Sequence, residues 1–347
     1  MLSAMSDAGH PVDWWFMYKV SERSESPPGV KATGEEYAYL DADGAALGKG
    51  LTLSPSQVGQ SGGTLYNTLA PLYAPAAQAY GPVGWYFYND EDPTDGKVIS
   101  SRGHTKGVVA WDAATDSGFW LVTSTPLFPK PGAYEYPHTG LEMAQTMLCV
   151  TLQGADVARQ IANQQYAAQG PHVHSASALP GTFTPPGGDM RPLLMQNKVG
   201  PATRSVTSVL PFNSRGGAKF LSIAKNKHWG LDFYNDLVGP ALKENLDVET
   251  WEDGAATPGP ADSDKIHKVT GMKSVNLEPL GIPYSWSERF DHAKVAISDP
   301  AETVHWVCVG DINFTRTQER RGGGTVAFQC EPLWQGLAEA LSAQPKA

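Results

Sequence analysis

The chain has 347 residues, of which 41% are hydrophobic and 18% charged, with 36 glycines and 27 prolines. That is enough apolar material for two domain-sized cores or one large one, and it excludes a disordered chain. The formal net charge of −10, from 26 basic and 36 acidic residues, excludes a surface uniformly basic for nucleic acid but leaves room for a local basic groove.

Residues 1–10 contain neither a basic nor an apolar stretch of the kind that makes a signal peptide. Location is therefore left open between a bacterial cytoplasm and export by another route. No run of about 18 apolar residues occurs, so no membrane span is expected. Residues 12–20, Val-Asp-Trp-Trp-Phe-Met-Tyr-Lys-Val, read as a buried strand. Segments 21–35 and 54–64 read as loops. A strand follows at 83–88, then a pair at 107–111 and 119–125 separated by a polar turn. Another strand spans 146–152. Residues 155–168 are rich in Ala and Gln and predict a helix ending at Gly170.

From 170 to 216 the periodicity fades, which predicts a long connection between two halves. Beyond it, 218–224 reads as a strand and 231–244 as a helix bent or split by Gly239-Pro240. Segment 252–264 is a polar loop. Two strands at 294–297 and 304–309 follow, and a last helix is expected over 326–341. Cys149, Cys308 and Cys330 allow at most one disulfide, with Cys308 and Cys330 the nearer pair, or three reduced buried thiols.

The halves share a pattern. His104-Thr-Lys106 precedes a strand, a polar turn and Phe119-Trp-Leu-Val. His292-Ala-Lys294 precedes a strand, a turn and His305-Trp-Val-Cys-Val. From Trp120 and Trp306 onward the halves align without a gap to Phe128 and Phe314. This internal repeat implies two similar α/β units, residues 1–175 and 176–347, related by an approximate two-fold axis. On a strand, His and Lys two residues apart share a face. Chance supplies so short a motif readily, so the context carries the argument. Two lysines suit the non-bridging oxygens of a phosphodiester. One neutral histidine can attack phosphorus, and a second, protonated, can donate to the leaving oxygen. This chemistry needs no metal or other cofactor.

His292-Ala-Lys294 with Asp299, followed by Gly310-Asp-Ile-Asn313, resembles the phospholipase D superfamily pattern. Arg102-Gly-His104-Thr-Lys106, Tyr136-Pro-His138-Thr-Gly140, Gln145-Thr-Met-Leu-Cys149 and Arg320-Arg321-Gly-Gly-Gly-Thr325 resemble the deoxyribonuclease II family within it, colinearly from about residue 11 to 341. The resemblance implies a metal-independent endonuclease built from two phospholipase-D-like α/β-sandwich halves. It would favour acid pH, pass through a phosphohistidine, and leave 3′-phosphate and 5′-hydroxyl ends. It also implies catalytic roles for His104, Lys106, His292 and Lys294, an orienting or phosphate-contacting role for Asn313, and a tautomer-holding role for Asp299. His138, Arg320 and Arg321 are substrate-binding candidates, the last two in a loop expected to lead into a helix and to offer backbone N–H groups to phosphate. The partner expected is DNA, double-stranded, straddled by one chain or by a homodimer. Leu127, Ala144 and Ala327 depart from the family pattern, and the chain as a whole suits a bacterial member. The alternatives are a phosphodiesterase for another diester, a catalytically silent DNA-binding module, and a metallohydrolase that uses the histidines as ligands. His172-x-His174 has the spacing of a metal pair but lacks companions and reads as a solvated loop.

Overall fold

A computed structural model describes residues 1–74, 83–177, 204–251 and 266–344. A short ribbon, β1 (Ala4–Met5) and β2 (Pro11–Val12), opens the chain. The first large sheet contains β3 (Trp14–Lys19), β4 (Tyr37–Asp41), β5 (Thr52–Leu53), β6 (Val83–Asn89), β7 (Lys106–Asp112), β8 (Ser117–Thr123), β9 (Gln145–Leu152) and β10 (Val173–Ala176), in the spatial order β10-β6-β7-β8-β9-β3-β4-β5. The second contains β11 (Thr207–Asn213), β12 (Lys219–Lys225), β13 (Leu246–Thr250), β14 (Val269–Gly271), β17 (Lys294–Ser298), β18 (Trp306–Gly310) and β19 (Gly323–Gln329), ordered β11-β12-β19-β18-β17-β13-β14. A small sheet joins β15 (Ser274–Asn276), β16 (Ser285–Ser287) and β20 (Leu341–Ser342). Helices α1 (Ala42–Ala46), α2 (Gly63–Tyr73), α3 (Gly154–Gln164), α4 (Gly239–Leu242) and α5 (Glu331–Ala340) complete this mixed α/β fold.

Alternation along the strands explains the layering. On β3, Trp14, Phe16 and Tyr18 enter one core while Trp15 and Met17 enter another, so all six residues of the strand are buried. The first of these cores also takes Val295 and Ile297 from β17, Val307 and Val309 from β18, and Val326 and Phe328 from β19. The two sheets therefore share one apolar interior, into which α3 and α5 also pack. Trp14 meets Phe328 edge-on at 5.1 Å, and Phe220 stacks on Phe328 at 5.0 Å. Burial of each such ring contributes roughly 2–3 kcal/mol. Leu65, Leu69 and Leu72 of α2 cover the outer face of the first sheet. Phe233, Tyr234, Val238 and Leu242 cover that of the second.

Strand order repeats between the sheets. The sets β6-β7-β8-β9-β3 and β13-β17-β18-β19-β12 run in the same spatial order and the same order along the chain. Every neighbouring pair within them is antiparallel. Each His-x-Lys opens the second strand of its set, and the strand two places on leads into α3 or α5.

Several expectations need correction. The segment 170–216 is not all connection: β10 pairs with β6 and β11 with β12, so its two ends belong to the two sheets. The rest of it, like the predicted loop 252–264, lies outside the described residues. The helix expected over 326–341 begins only at Glu331, because Val326, Ala327 and Phe328 pair with both β12 and β18 at the sheet centre. Pro332, tolerated only in a helix's first turn, marks the true start. Between 231 and 244 the helix is not split: a π turn, Tyr234–Val238, passes directly into α4, with Val238 and Gly239 both in helical conformation and Pro240 accommodated in the first turn of α4. His172 and His174 flank Val173 on β10 and are half-buried rather than solvated; His172 Nε2 lies 3.0 Å from Asp92 Oδ2. All three cysteines are buried free thiols, so the Cys308–Cys330 bridge does not form. Among the described residues no helix is long and apolar enough to cross a membrane.

Candidate active site

Both His-x-Lys motifs sit where a loop enters the second strand of its set, and each is gripped by a segment leading into the other sheet. The His104 backbone N–H donates to the Gly322 carbonyl at 2.7 Å, and that of His292 donates to the Ala144 carbonyl at 2.9 Å. The Lys106 N–H reaches Asp311 Oδ1 at 3.3 Å, and the Lys294 N–H reaches Thr146 Oγ1 at 3.3 Å. This cross-gripping brings the motifs into one charge cluster. Lys294 and Lys106 both depress the basicity of His104 and of His292, and His104 itself lowers that of His292.

His104 Nδ1 lies 2.6 Å from the Asp311 carbonyl oxygen. A carbonyl only accepts, so Nδ1 carries the proton and Nε2 keeps its lone pair. Burial, then Lys106, pushes the His104 pKa down to about 3, against an opposing pull from Asp90. Burial, then Lys294, Lys106 and His104, holds His292 well below the ordinary range. The indole of Trp251 meets the His292 ring edge-to-face at 4.8 Å, and its Nε1 is buried without a hydrogen-bond partner.

The lysines differ in their company. Lys106 Nζ donates to Asp90 Oδ1 at 2.5 Å, and Arg321 donates to Asp90 Oδ2 at 2.7 Å. Burial opposes the charge on Asp90, but Lys106, His104 and Arg321 outweigh it and hold the carboxyl well below the usual range. Lys294 donates to the His292 carbonyl. Burial, then Lys106, lowers the Lys294 pKa to about 7, although Asp291, Asp311 and Asp90 resist. Burial raises Asp311 to about 8. Asp291, fully buried, accepts from Tyr18 at 2.5 Å, Trp286 at 2.8 Å and the Ala293 N–H at 2.7 Å, and so fixes the residue that leads into His292.

Of the remaining candidates, Asn313 is buried close behind Asp311, and its Oδ1 has no partner. Its amide therefore keeps an unspent polar end. Arg321 belongs to the cluster through Asp90. Arg320 and His138 are exposed on turns, Arg316–Arg320 and His138–Gly140 respectively. Asp299 is not brought to the histidines. It lies past the far end of β17 from Lys294, where its carboxylate accepts from the Ala301 N–H at 2.8 Å. Nor does the loop after Arg321 lead into a helix: Gly323 and Gly324 are strand residues of β19. The glycines answer to packing. A β-carbon on Gly322 would fall 2.1 Å from the Gln169 carbonyl oxygen, so the close approach of its loop to the segment after α3 requires glycine, and one on Gly103 would fall 2.3 Å from the same oxygen.

Sequence reasoning missed Asp90, Asp291, Asp311 and Trp251. Strand pairing holds a signal for two of them. Asn89 pairs with Lys106 and Thr250 with Lys294, so Asp90 and Trp251 occupy matching positions one residue beyond. Among the described residues no group of three or more His, Cys, Asp or Glu side chains could hold a metal ion.

The family model for deoxyribonuclease II matches residues 3–346. A Burkholderia pseudomallei protein named "Putative deoxyribonuclease-2" is 41% identical over 97% of this chain and 92% of its own length. The deoxyribonuclease-2-alpha of Sus scrofa is 31% identical over 99% and 90%. The deoxyribonuclease-2 of Caenorhabditis elegans is 31% identical over 97% and 92%.

Proposed function

From the premise that this chain belongs to the deoxyribonuclease II family and is a DNA-hydrolysing enzyme, we propose a two-step, metal-independent cleavage of double-stranded DNA by His104, His292, Lys106 and Lys294. The halves, residues 1–175 and 176–347, would be related by a pseudo-two-fold axis that passes between the histidines. The observation that carries the reading is the hydrogen bond from His104 Nδ1 to the Asp311 carbonyl. It leaves the opposite nitrogen as a fixed, unprotonated nucleophile.

In the first step the Nε2 lone pair of His104 attacks phosphorus and the P–O5′ bond breaks. His292, protonated, gives its proton to the departing oxygen, which leaves as a 5′-hydroxyl. In the second step His292, now neutral, takes a proton from water. The hydroxide attacks phosphorus, the P–N bond breaks, and its electron pair returns to His104, leaving a 3′-phosphate. Lys106 and Lys294 supply the positive charge that the phosphoryl oxygens require throughout. Asn313 and Arg321 orient the diester, while His138 and Arg320, exposed on their turns, meet the flanking backbone.

In the free site burial, with the two lysines, keeps both histidines neutral. The bound diester adds negative charge beside them, so His292 takes up its proton with substrate in place. Lys294, with a pKa lowered to about 7, is charged below that value and loses its charge above it. Asp311, raised to about 8, is neutral below that value and anionic above it. Both changes make the site less positive as pH rises. The kcat/KM for plasmid cleavage, which reports groups of the free enzyme, is therefore expected to fall across pH 7–8. An optimum above pH 8 would refute this account of the acid preference.

Metal independence is tested on plasmid at pH 5 with EDTA in excess. Nicking at an undiminished rate is expected, with 3′-phosphate ends that resist polymerase extension until a phosphatase is added. Loss of cutting in chelator, restored by Mg²⁺ or Zn²⁺, would overturn the proposal in favour of a metallohydrolase. Binding without cutting would favour a silent module.

A further inference from the structure

Each histidine of the site hangs by its backbone on a loop of the other half, and each loop is itself anchored. Gly322, which accepts from the His104 N–H, follows the turn Arg316–Arg320 and leads into β19. Ala144, which accepts from the His292 N–H, follows the turn His138–Gly140 and leads into β9. These are corresponding places in the two sheets. At each, a lysine ending the adjacent strand turns its ammonium onto the loop carbonyls. Lys225, the last residue of β12, donates to Gln318 O at 2.8 Å, Glu319 O at 3.0 Å and Arg321 O at 2.7 Å. Lys19, the last residue of β3, donates to Leu141 O at 3.2 Å. The chain beyond Lys19 adds the Glu22 N–H on the same carbonyl at 3.0 Å and Ser21 Oγ on Glu142 O at 2.5 Å.

Both lysines have 0% of their surface exposed. A buried ammonium is costly, and an apolar side chain of similar length would sit there more cheaply. What the ammonium supplies is a fixed position for loop carbonyls that otherwise have no strand to pair with. Three such bonds on the turn 316–321 hold the segment that also carries Arg321 onto Asp90.

We propose that Lys19 and Lys225 are paired positioning residues for DNA cleavage, Lys225 fixing the loop that holds His104 and Lys19 fixing the loop that holds His292. The pairing of effects rests on the assignment of His104 as nucleophile and His292 as acid. Neither lysine touches substrate in this reading. Each acts through the opposite histidine, and displacement of a reacting group by about an ångström suffices to cost on the order of a hundredfold in rate.

The test uses the full chain with Lys19→Met and Lys225→Met, assayed on plasmid and on bis(p-nitrophenyl) phosphate. The nitrophenolate leaves without needing a proton, so it bypasses the general acid. Lys225→Met should lower kcat roughly tenfold to a hundredfold on both substrates. Lys19→Met should lose as much on plasmid and far less on the nitrophenyl diester. A purely structural role would not separate the two leaving groups. The mirror-image result, with Lys19→Met losing on both substrates and Lys225→Met sparing the nitrophenyl diester, would support the brace and reverse the histidine roles. Folded variants that stay near wild-type rates, or that show the same ratio of losses on the two substrates, would overturn it. Should Lys19→Met fail to fold, Ser21→Ala loosens the same loop and should show a smaller loss with the same leaving-group dependence. Equal loss on both substrates in that variant and in Lys225→Met alike would overturn the brace. Failure of the site assignment itself is recognised separately, by full activity of the His104→Ala and His292→Ala variants.

Discussion

His104→Ala should lower kcat on plasmid on the order of 10⁴-fold or more, and His292→Ala by roughly 10²–10⁴-fold, with KM changed far less in both. Each substitution deletes a whole chemical function rather than a share of binding. The difference lies in what can substitute. Without His104 there is no nucleophile poised at phosphorus, and a water held by Lys106 and Lys294 is the only replacement. Without His292 the attack still occurs, but the 5′-oxygen must leave as an alkoxide. The His292→Ala variant should therefore recover most of its rate on a nitrophenyl diester, while His104→Ala should not. Acid-quenched mass spectrometry after a short reaction provides the direct check. A phosphoryl adduct on the peptide containing His104 is expected, because the carbonyl of Asp311 holds the proton on Nδ1 and leaves Nε2 free to attack. An adduct on the His292 peptide would reverse the roles. No adduct in either, under rapid turnover, would replace the covalent step by direct attack of water.

The second large effect couples activity to stability with opposite signs. Lys294→Met should lower cutting on the order of 10³-fold, because it removes one of the two charges proposed to face the phosphoryl oxygens. The same substitution should stabilise the fold at acid pH. The folded pKa of Lys294 is lowered, to about 7, by burial and by Lys106, whereas in the unfolded chain it returns to about 10.4. Below pH 7 both states are protonated, so the folded state bears the full cost of a buried charge. Between pH 7 and about 10.4 the unfolded state binds more protons, stability of the wild type rises with pH, and the advantage of the variant fades. A gain of about 1–3 kcal/mol at pH 5 is expected after the lost hydrogen bond to the His292 carbonyl is offset. Urea melts of both proteins at pH 5 and pH 9 measure it. A variant less stable than wild type at pH 5 would show that the ammonium is repaid by partners in the free enzyme.

Much of this was legible in the chain. The strands 83–88, 107–111 and 146–152 were readable because their side chains are buried on both faces, so aromatic and β-branched runs survive as signals. The stop at Gly170 was readable because a left-handed cap needs glycine: α3 continues as a π turn, Gln165–Gln169, and Gly170 ends it with a φ of 65°. The helix start at Glu331 was misread because 326–329 carries the apolar residues of a central strand, and apolar content by itself does not separate strand from helix.

The sequence by itself determined the two His-x-Lys pairs and the family, since same-face spacing and colinear motifs are local properties. The tertiary structure alone decided which carboxylates serve the site. Asp299 follows Lys294 closely in the chain, yet a strand rising about 3.3 Å per residue carries it to the far end of β17. Asp90 and Asp311 are 14 residues before and 207 residues after His104 in the numbering, yet Asp311 bonds to its ring and the charge of Asp90 acts on it, because β6 lies beside β7 and the two sheets face each other across one core. A charge acts through space and not along the chain, so the partners of a catalytic group are fixed by the packing of sheets whose pairing joins residues of any separation.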